Sequence, residues 1–204
     1  MRSPTDRRAP QKSDLRRGAI LESLDHHLRL SGFEGVNIAD VTRRAGVTRS
    51  AFYFYFENKA AAVAALLEPM YLDGFIASDI LTDLTRPPRP RIRAMLEALL
   101  DTVDEHRYLL RAMLDARADS PAIRRLWDDA RRSFVPAVAA MIVAERDGGR
   151  APDGPPTEVI ADMLLEFNDR LLERYTLGGP RDRETLCDGA EAVWVGTIYG
   201  RVDQ

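Results

Sequence analysis

Apolar positions along this chain recur at the spacing of helices, and no alternating strand pattern appears. From about Asp14 to Leu30, residues Ile20, Leu24 and Leu28 fall at i, i+4 and i+8, with Leu15, Ala19 and Leu21 widening the stripe. This predicts an amphipathic helix that Gly32 ends, after which Phe33 and Val36 fold back toward the core. A second helix is predicted after Asn37, a good N-cap residue, with Asp40 near its positive end and a stop at Gly46. A third starts after Thr48 and ends near Phe56. A fourth starts around Asn58, carries Ala60 to Leu67 and runs toward Ile80, with a kink or break at Pro69.

Beyond Arg86-Pro87-Pro88-Arg89-Pro90, read as a stiff turn, the pattern stays helical. Helices are predicted at about 91–106 and 108–117. Ser120-Pro121 opens a long one through Trp127 and Phe134 to Asp147, bent at Pro136. After a Gly/Pro loop from Gly148 to Pro156, two more helices follow at about 157–177 and 182–199, split by Gly178-Gly179-Pro180. The fold class is all-α. A three-helix helix-turn-helix domain is expected over 13–58 and a helical bundle for ligand binding and dimerisation over 59–204. Residues 1–12, with Arg2, Arg7, Arg8 and Lys12, read as a disordered basic arm, either a solvated tail or an extra contact to phosphate or minor groove.

The chemistry concentrates in residues 38–56. There Val41, Val47, Phe52 and Phe56 are spaced to point inward, leaving Arg49, Ser50, Tyr53 and Tyr55 outward. A DNA-reading helix must be clamped from behind yet keep one face bare, and this is that layout. Arg49 and Tyr53 share a face at i, i+4. Arginine can pair two hydrogen bonds with the major-groove edge of guanine, while Thr48, Tyr53 and Tyr55 can reach phosphate oxygens and fix register. Arg43 and Arg44 are further cations, with Arg43 a candidate contact. Lys59 sits in the first turn of the fourth helix, where a cation is mildly unfavourable, and a phosphate partner would explain it.

Charge sharpens this picture. The net charge is −3, but residues 1–60 hold 11 basic against 7 acidic residues, and the remainder 18 against 25. The local sign is what a polyanion meets. No apolar run reaches the roughly 18 residues needed to span a bilayer, and no signal peptide is evident, so a cytoplasmic location is expected. A lone Cys187 excludes an internal disulfide and a cysteine zinc cluster. Catalysis finds little support. His26 and His27 are adjacent and face different ways, His106 stands alone, and Asp104-Glu105 and Asp128-Asp129 read as solvated charges. There is no glycine-rich phosphate loop and no nucleophile elbow. No cofactor and no metal is expected.

The run Arg44-Ala45-Gly46-Val47-Thr48-Arg49, then Phe52-Tyr53-Phe54-Tyr55-Phe56 and Lys59, strongly resembles the N-terminal domain of TetR-family transcriptional regulators over about residues 14–67. Thr42 departs from the alanine usual there. The resemblance continues through one branch of that family in Leu126-Trp127, Ala144-Glu145-Arg146-Asp147-Gly148, Asn168-Asp169-Arg170 and Trp194 to Gly200. It implies a repressor that binds a double-stranded palindromic operator as a homodimer, joined through the helices at about 157–177 and 182–199, where Leu186, Ala190, Val193, Gly196 and Ile198 suit close approach. It also implies a small, mainly apolar effector in the bundle, with Trp127, Phe134, Asn168, Trp194, Leu99, Met113 and Leu165 as candidate contacts. Asn168, among Leu164, Leu165, Phe167 and Leu171, needs a partner if buried: a ligand carbonyl, or else backbone or water. Ile92, Ala137, Val138 and Arg131 differ from the relatives' residues, so the effector need not be shared. The expected mechanism is that effector moves the fourth helix and so the spacing of the two reading helices. The alternative is a dimeric DNA-binding or adaptor protein that answers to no ligand.

Overall fold

Ten helices form among the described residues, 12–200, of the computed structural model: α1 Lys12–Gly35, α2 Ile38–Arg44, α3 Arg49–Tyr55, α4 Lys59–Leu66, α5 Glu68–Thr82, α6 Pro88–Asp119, α7 Pro121–Arg132, α8 Val135–Asp147, α9 Thr157–Thr176 and α10 Arg183–Tyr199. No strand occurs among these residues. The basic arm lies outside them except for Lys12.

Side chains at the helix starts explain several boundaries. Asn37, Thr48 and Asn58 each accept from a backbone N–H in the first turn of the helix they open. Gly32 takes φ +66°, which bends the chain out of α1's course before one last turn through Gly35. Prolines decide the rest. A proline ring inside a helix clashes with the carbonyl four residues earlier, so the expected long helix at 121–147 is two helices. Their junction is Ser133–Phe134, and Pro136 sits in the first turn of α8, where its missing N–H costs nothing. The same logic breaks the chain at Leu67, with Pro69 early in α5. Pro88 and Pro90 do not make a turn: they open α6. The helices expected at 91–106 and 108–117 are this one helix, kinked at His106 (φ −118°, ψ 23°).

Two apolar cores result. The first gathers Ile20, Leu24, Val41, Phe52, Phe56 and Val63 from α1–α4, and is closed by Leu109, Ala112, Met113 and Ala116 of α6 and Ile123 of α7. Packing of the reading head therefore extends well past residue 58. The second gathers Leu81, Ile92, Leu96, Leu100, Ile142, Leu164 and Trp194 from α5, α6, α8, α9 and α10. Helix α6 serves both, changing from one core to the other across the kink at His106.

The cores treat polar groups differently. In the first, buried Ser23 donates to the Val41 carbonyl at 2.9 Å and Thr42 to that of Ala39 at 3.1 Å. In the second, fully buried Arg91 donates to Glu145 and to the Tyr199 hydroxyl, each at 2.5 Å, and Arg150 donates to the other Glu145 oxygen at 2.8 Å. Burial alone would raise the Glu145 pKa, but the hydrogen bonds from Arg150 and Arg91 outweigh it and hold this carboxyl below its ordinary value. The network ties the start of α6 to the ends of α8 and α10.

Candidate nucleic-acid interface and effector cavity

The turn between α2 and α3 is fixed by Gly46. Its φ of +64° lies in the left-handed region, its N–H reaches the Arg43 carbonyl, and Val47 N–H reaches that of Thr42. That closure sets α3 against α1 and α2, with Phe52 fully buried and Phe56 nearly so, their rings 5.6 Å apart. The opposite side of α3 is bare. Thr48, Arg49 and Ser50 are exposed, and Tyr53 is 47 % exposed. Arg49 lies over the Tyr53 ring at 5.8 Å, with its guanidinium 3.5 Å from the hydroxyl, so the two share the predicted face. The Thr48 oxygen caps α3 through Ala51 N–H at 3.1 Å. Arg43 is exposed and paired with Asp40.

Two residues depart from expectation, and a third had been passed over. Tyr55 does not face out freely: it is half-buried, with its hydroxyl 3.2 Å from Ser13 Oγ. Lys59 is half-buried too. Its ammonium donates to the Phe33 carbonyl at 2.6 Å and reaches that of Val36 at 3.4 Å, over the Phe33 ring. Carbonyls at the end of α1, not a phosphate, account for this cation. Phe54, which sequence reasoning left unassigned, is 80 % exposed on α3 beside Tyr55. Its signal was its position in the aromatic run, off the Phe52–Phe56 stripe.

A cavity of about 150 Å³ lies among α5, α6, α7 and α9, lined by Leu99, Trp127, Phe134, Leu165 and Asn168 of the predicted set and by Leu67, Leu110, Arg131 and Asp169. A second, of about 70 Å³, is lined by Trp194 and again by Leu99, Phe134, Leu165 and Asn168. Met113 lines neither. It is fully buried in the first core, beyond the kink that turns α6 away from the bundle.

The walls are apolar apart from a few placed groups. Asn168 Oδ1 accepts from the Trp194 indole N–H at 3.0 Å. An indole only donates, so this fixes the amide's orientation and leaves its NH2 without a partner among the described residues. At the other end Trp127 Nε1 donates to Asp169 at 2.9 Å. Burial pushes the Asp169 pKa up, against that bond and nearby Arg131 and Arg117. Arg131, in the wall, has Glu166 at 3.0 Å, Asp169 at 3.4 Å, Asp162 at 3.6 Å and Asp128 at 3.9 Å.

On α9 and α10 the residues suited to close approach divide. Ala190 and Ile198 are buried in the chain's own core and Leu186 packs against it. The free faces carry Val159 and Met163 on α9, and Val193 with Gly189 and Gly196 on α10. No space around either glycine is filled. The buried thiol of Cys187 is pushed up in pKa by burial, away from the reactive thiolate form. Among the described residues no three or more His, Cys, Asp or Glu side chains group as metal ligands, and no helix is long and apolar enough to cross a membrane.

Residues 20–66 match the model of the bacterial regulatory proteins of the tetR family, and residues 92–200 that of the C-terminal domain of the transcriptional regulator EthR. The chain is similar to the transcriptional regulator EthR of Mycobacterium tuberculosis strain H37Rv, 30% identical over 97% of this chain and 94% of the relative. It is 29% identical to EthR of Mycolicibacterium smegmatis, over 98% and 94%. Among solved structures, a TetR-family transcriptional regulator from Mesorhizobium loti superposes with a TM-score of 0.68 at 15% identity, covering 93% of this chain and 98% of that one.

Proposed function

The chain belongs to the TetR family of DNA-binding transcriptional regulators, with the C-terminal domain of EthR, and from that premise we propose that it is a repressor released from a palindromic operator by a small, mainly apolar effector. Arg49 reads guanine edges, while Thr48, Ser50 and Tyr53 hold phosphates. Arg43 adds a cation to the same side. The protein acts as a homodimer through the free faces of α9 and α10, which presents two α3 helices to two half-sites.

One observation carries this reading: the cavity wall is built from the elements that hold the head. Leu67, at the α4–α5 junction, lines the cavity and is buried in the first core. Trp127 of α7, packed against that same core, lines the cavity too. An effector that moves either residue moves the base on which α3 stands, and the unpartnered Asn168 NH2 offers it one directional contact, to a carbonyl or other acceptor. Coupling of about 1–3 kcal/mol between the sites would be ordinary.

The test is selection of duplexes from a random pool, followed by gel shifts with compounds that raise the melting temperature. Enriched duplexes should carry two inverted half-sites, and stabilising compounds should weaken their binding. If no duplex is enriched over random DNA, the protein is not an operator reader. If compounds bind and leave the gel shift unchanged, effector release is wrong.

A further inference from the structure

Resting on the effector-binding reading, we infer that Phe134 determines which effectors fit: its ring is a movable partition between two chambers of one site, and the effector is a mainly apolar molecule long enough to occupy both. The larger and smaller cavities share Gly74, Leu99, Phe134, Leu165 and Asn168 in their walls. Their volumes, about 150 and 70 Å³, each fall short of the ~300–1,000 Å³ of pockets that enclose drug-sized ligands. Phe134 is the shared wall that can give way. It occupies the α7–α8 junction and is half-buried, and its ring is held by apolar contact alone, 5.1 Å from that of Phe75. Moving it breaks no hydrogen bond of its side chain. Gly74 makes its present position possible, because a Cβ there would stand 3.0 Å from Phe134 Cζ.

Polar groups narrow the class. Asn168 belongs to both chambers, so an acceptor on the effector meets its NH2 where the chambers join. Arg131 in the wall of the larger chamber is already engaged by Asp169 beside it and by Asp128, Asp162 and Glu166 behind it, which leaves no free cation for an anionic head group.

The chain's two tryptophans report separately, Trp127 from the larger chamber and Trp194 from the smaller. The experiment titrates full-length protein with 2-alkanones of five to thirteen carbons, following fluorescence in Trp194→Phe and Trp127→Phe variants. Each methylene buried should tighten binding about fourfold. In the presence of Phe134, short ketones should perturb Trp127 alone. Affinity should then stall over one or two carbons before rising again as Trp194 responds. In Phe134→Ala, and more weakly in Phe134→Leu, the stall should vanish and both tryptophans should respond to the short ketones. An unbroken rise with both responding at every length, or a stall that persists in both variants, overturns the partition and leaves effector binding standing. No binding of any ketone to any variant overturns both.

Discussion

The two cores of this chain answer to different requirements. The head is filled to its centre: Phe52, Ile20 and Leu24 are fully buried, and its buried Ser23 and Thr42 donate to neighbouring carbonyls. The bundle keeps a hole beside Asn168 and carries a buried cation, Arg91, among Glu145 and Tyr199. Under the proposed function, a reader must hold one side-chain geometry, whereas a sensor must keep space and deform around what enters it. Close packing lies at the α3 end and open space at the other, and α6 runs through both.

The largest test of that contrast is Glu145→Ala. It leaves the buried Arg91 guanidinium with the Tyr199 hydroxyl but no carboxylate, and losing one member of such a pair costs about 3–5 kcal/mol. A calorimetric melt should show the loss, with Arg91→Met/Glu145→Leu recovering most of it. The pH dependence has a definite sign. Glu145 is held below its ordinary 4.5, so its contribution is complete above the unfolded carboxyl's pKa and fades as pH falls through the folded value. The melting temperature should therefore drop on acidification below that ordinary value, and less so in the double variant.

Next in size is Arg49→Ala, which should cost about 1–3 kcal/mol of binding to a selected duplex and relax the preference at one base position. Its melting temperature should match the parent's, since the side chain is exposed. Gly46→Ala reverses that pattern. It forces a Cβ into a left-handed backbone, costs about 1–2 kcal/mol of stability, and weakens DNA binding on every sequence alike. The smallest effect is Asn37→Ala: loss of the cap to Ala39 N–H should cost about 1 kcal/mol, read as faster hydrogen exchange in α2 with α9 unchanged.

Much of the head was legible because its determinants are local. The caps Asn37, Thr48 and Asn58 act within three residues of themselves, and Phe52 and Phe56 declare the buried side of α3 by spacing alone. Lys59 was not legible, because the carbonyls that occupy it belong to Phe33 and Val36, over 20 residues earlier. Met113 failed for a related reason. Helical periodicity shows that it is buried but not in which core, and the kink at His106 decides that. The break at Phe134 was expected only as a bend at Pro136 within one helix, since sequence alone does not tell a kink from a break and the clash falls upstream of the proline. Asn168 stood out as an amide in an apolar stretch, but its indole partner lies 26 residues away.

In the proposed function the exposed side of α3 reads base sequence. The measurement closest to it is the ratio of dissociation constants for a selected and a scrambled duplex, taken at one salt concentration, for the parent protein and Arg49→Ala. The expected ratio is at least about 10³ for the parent, reduced roughly tenfold or more by the substitution, with affinity for the scrambled duplex little changed. A parent ratio near one, or a ratio that Arg49→Ala leaves intact, would contradict it.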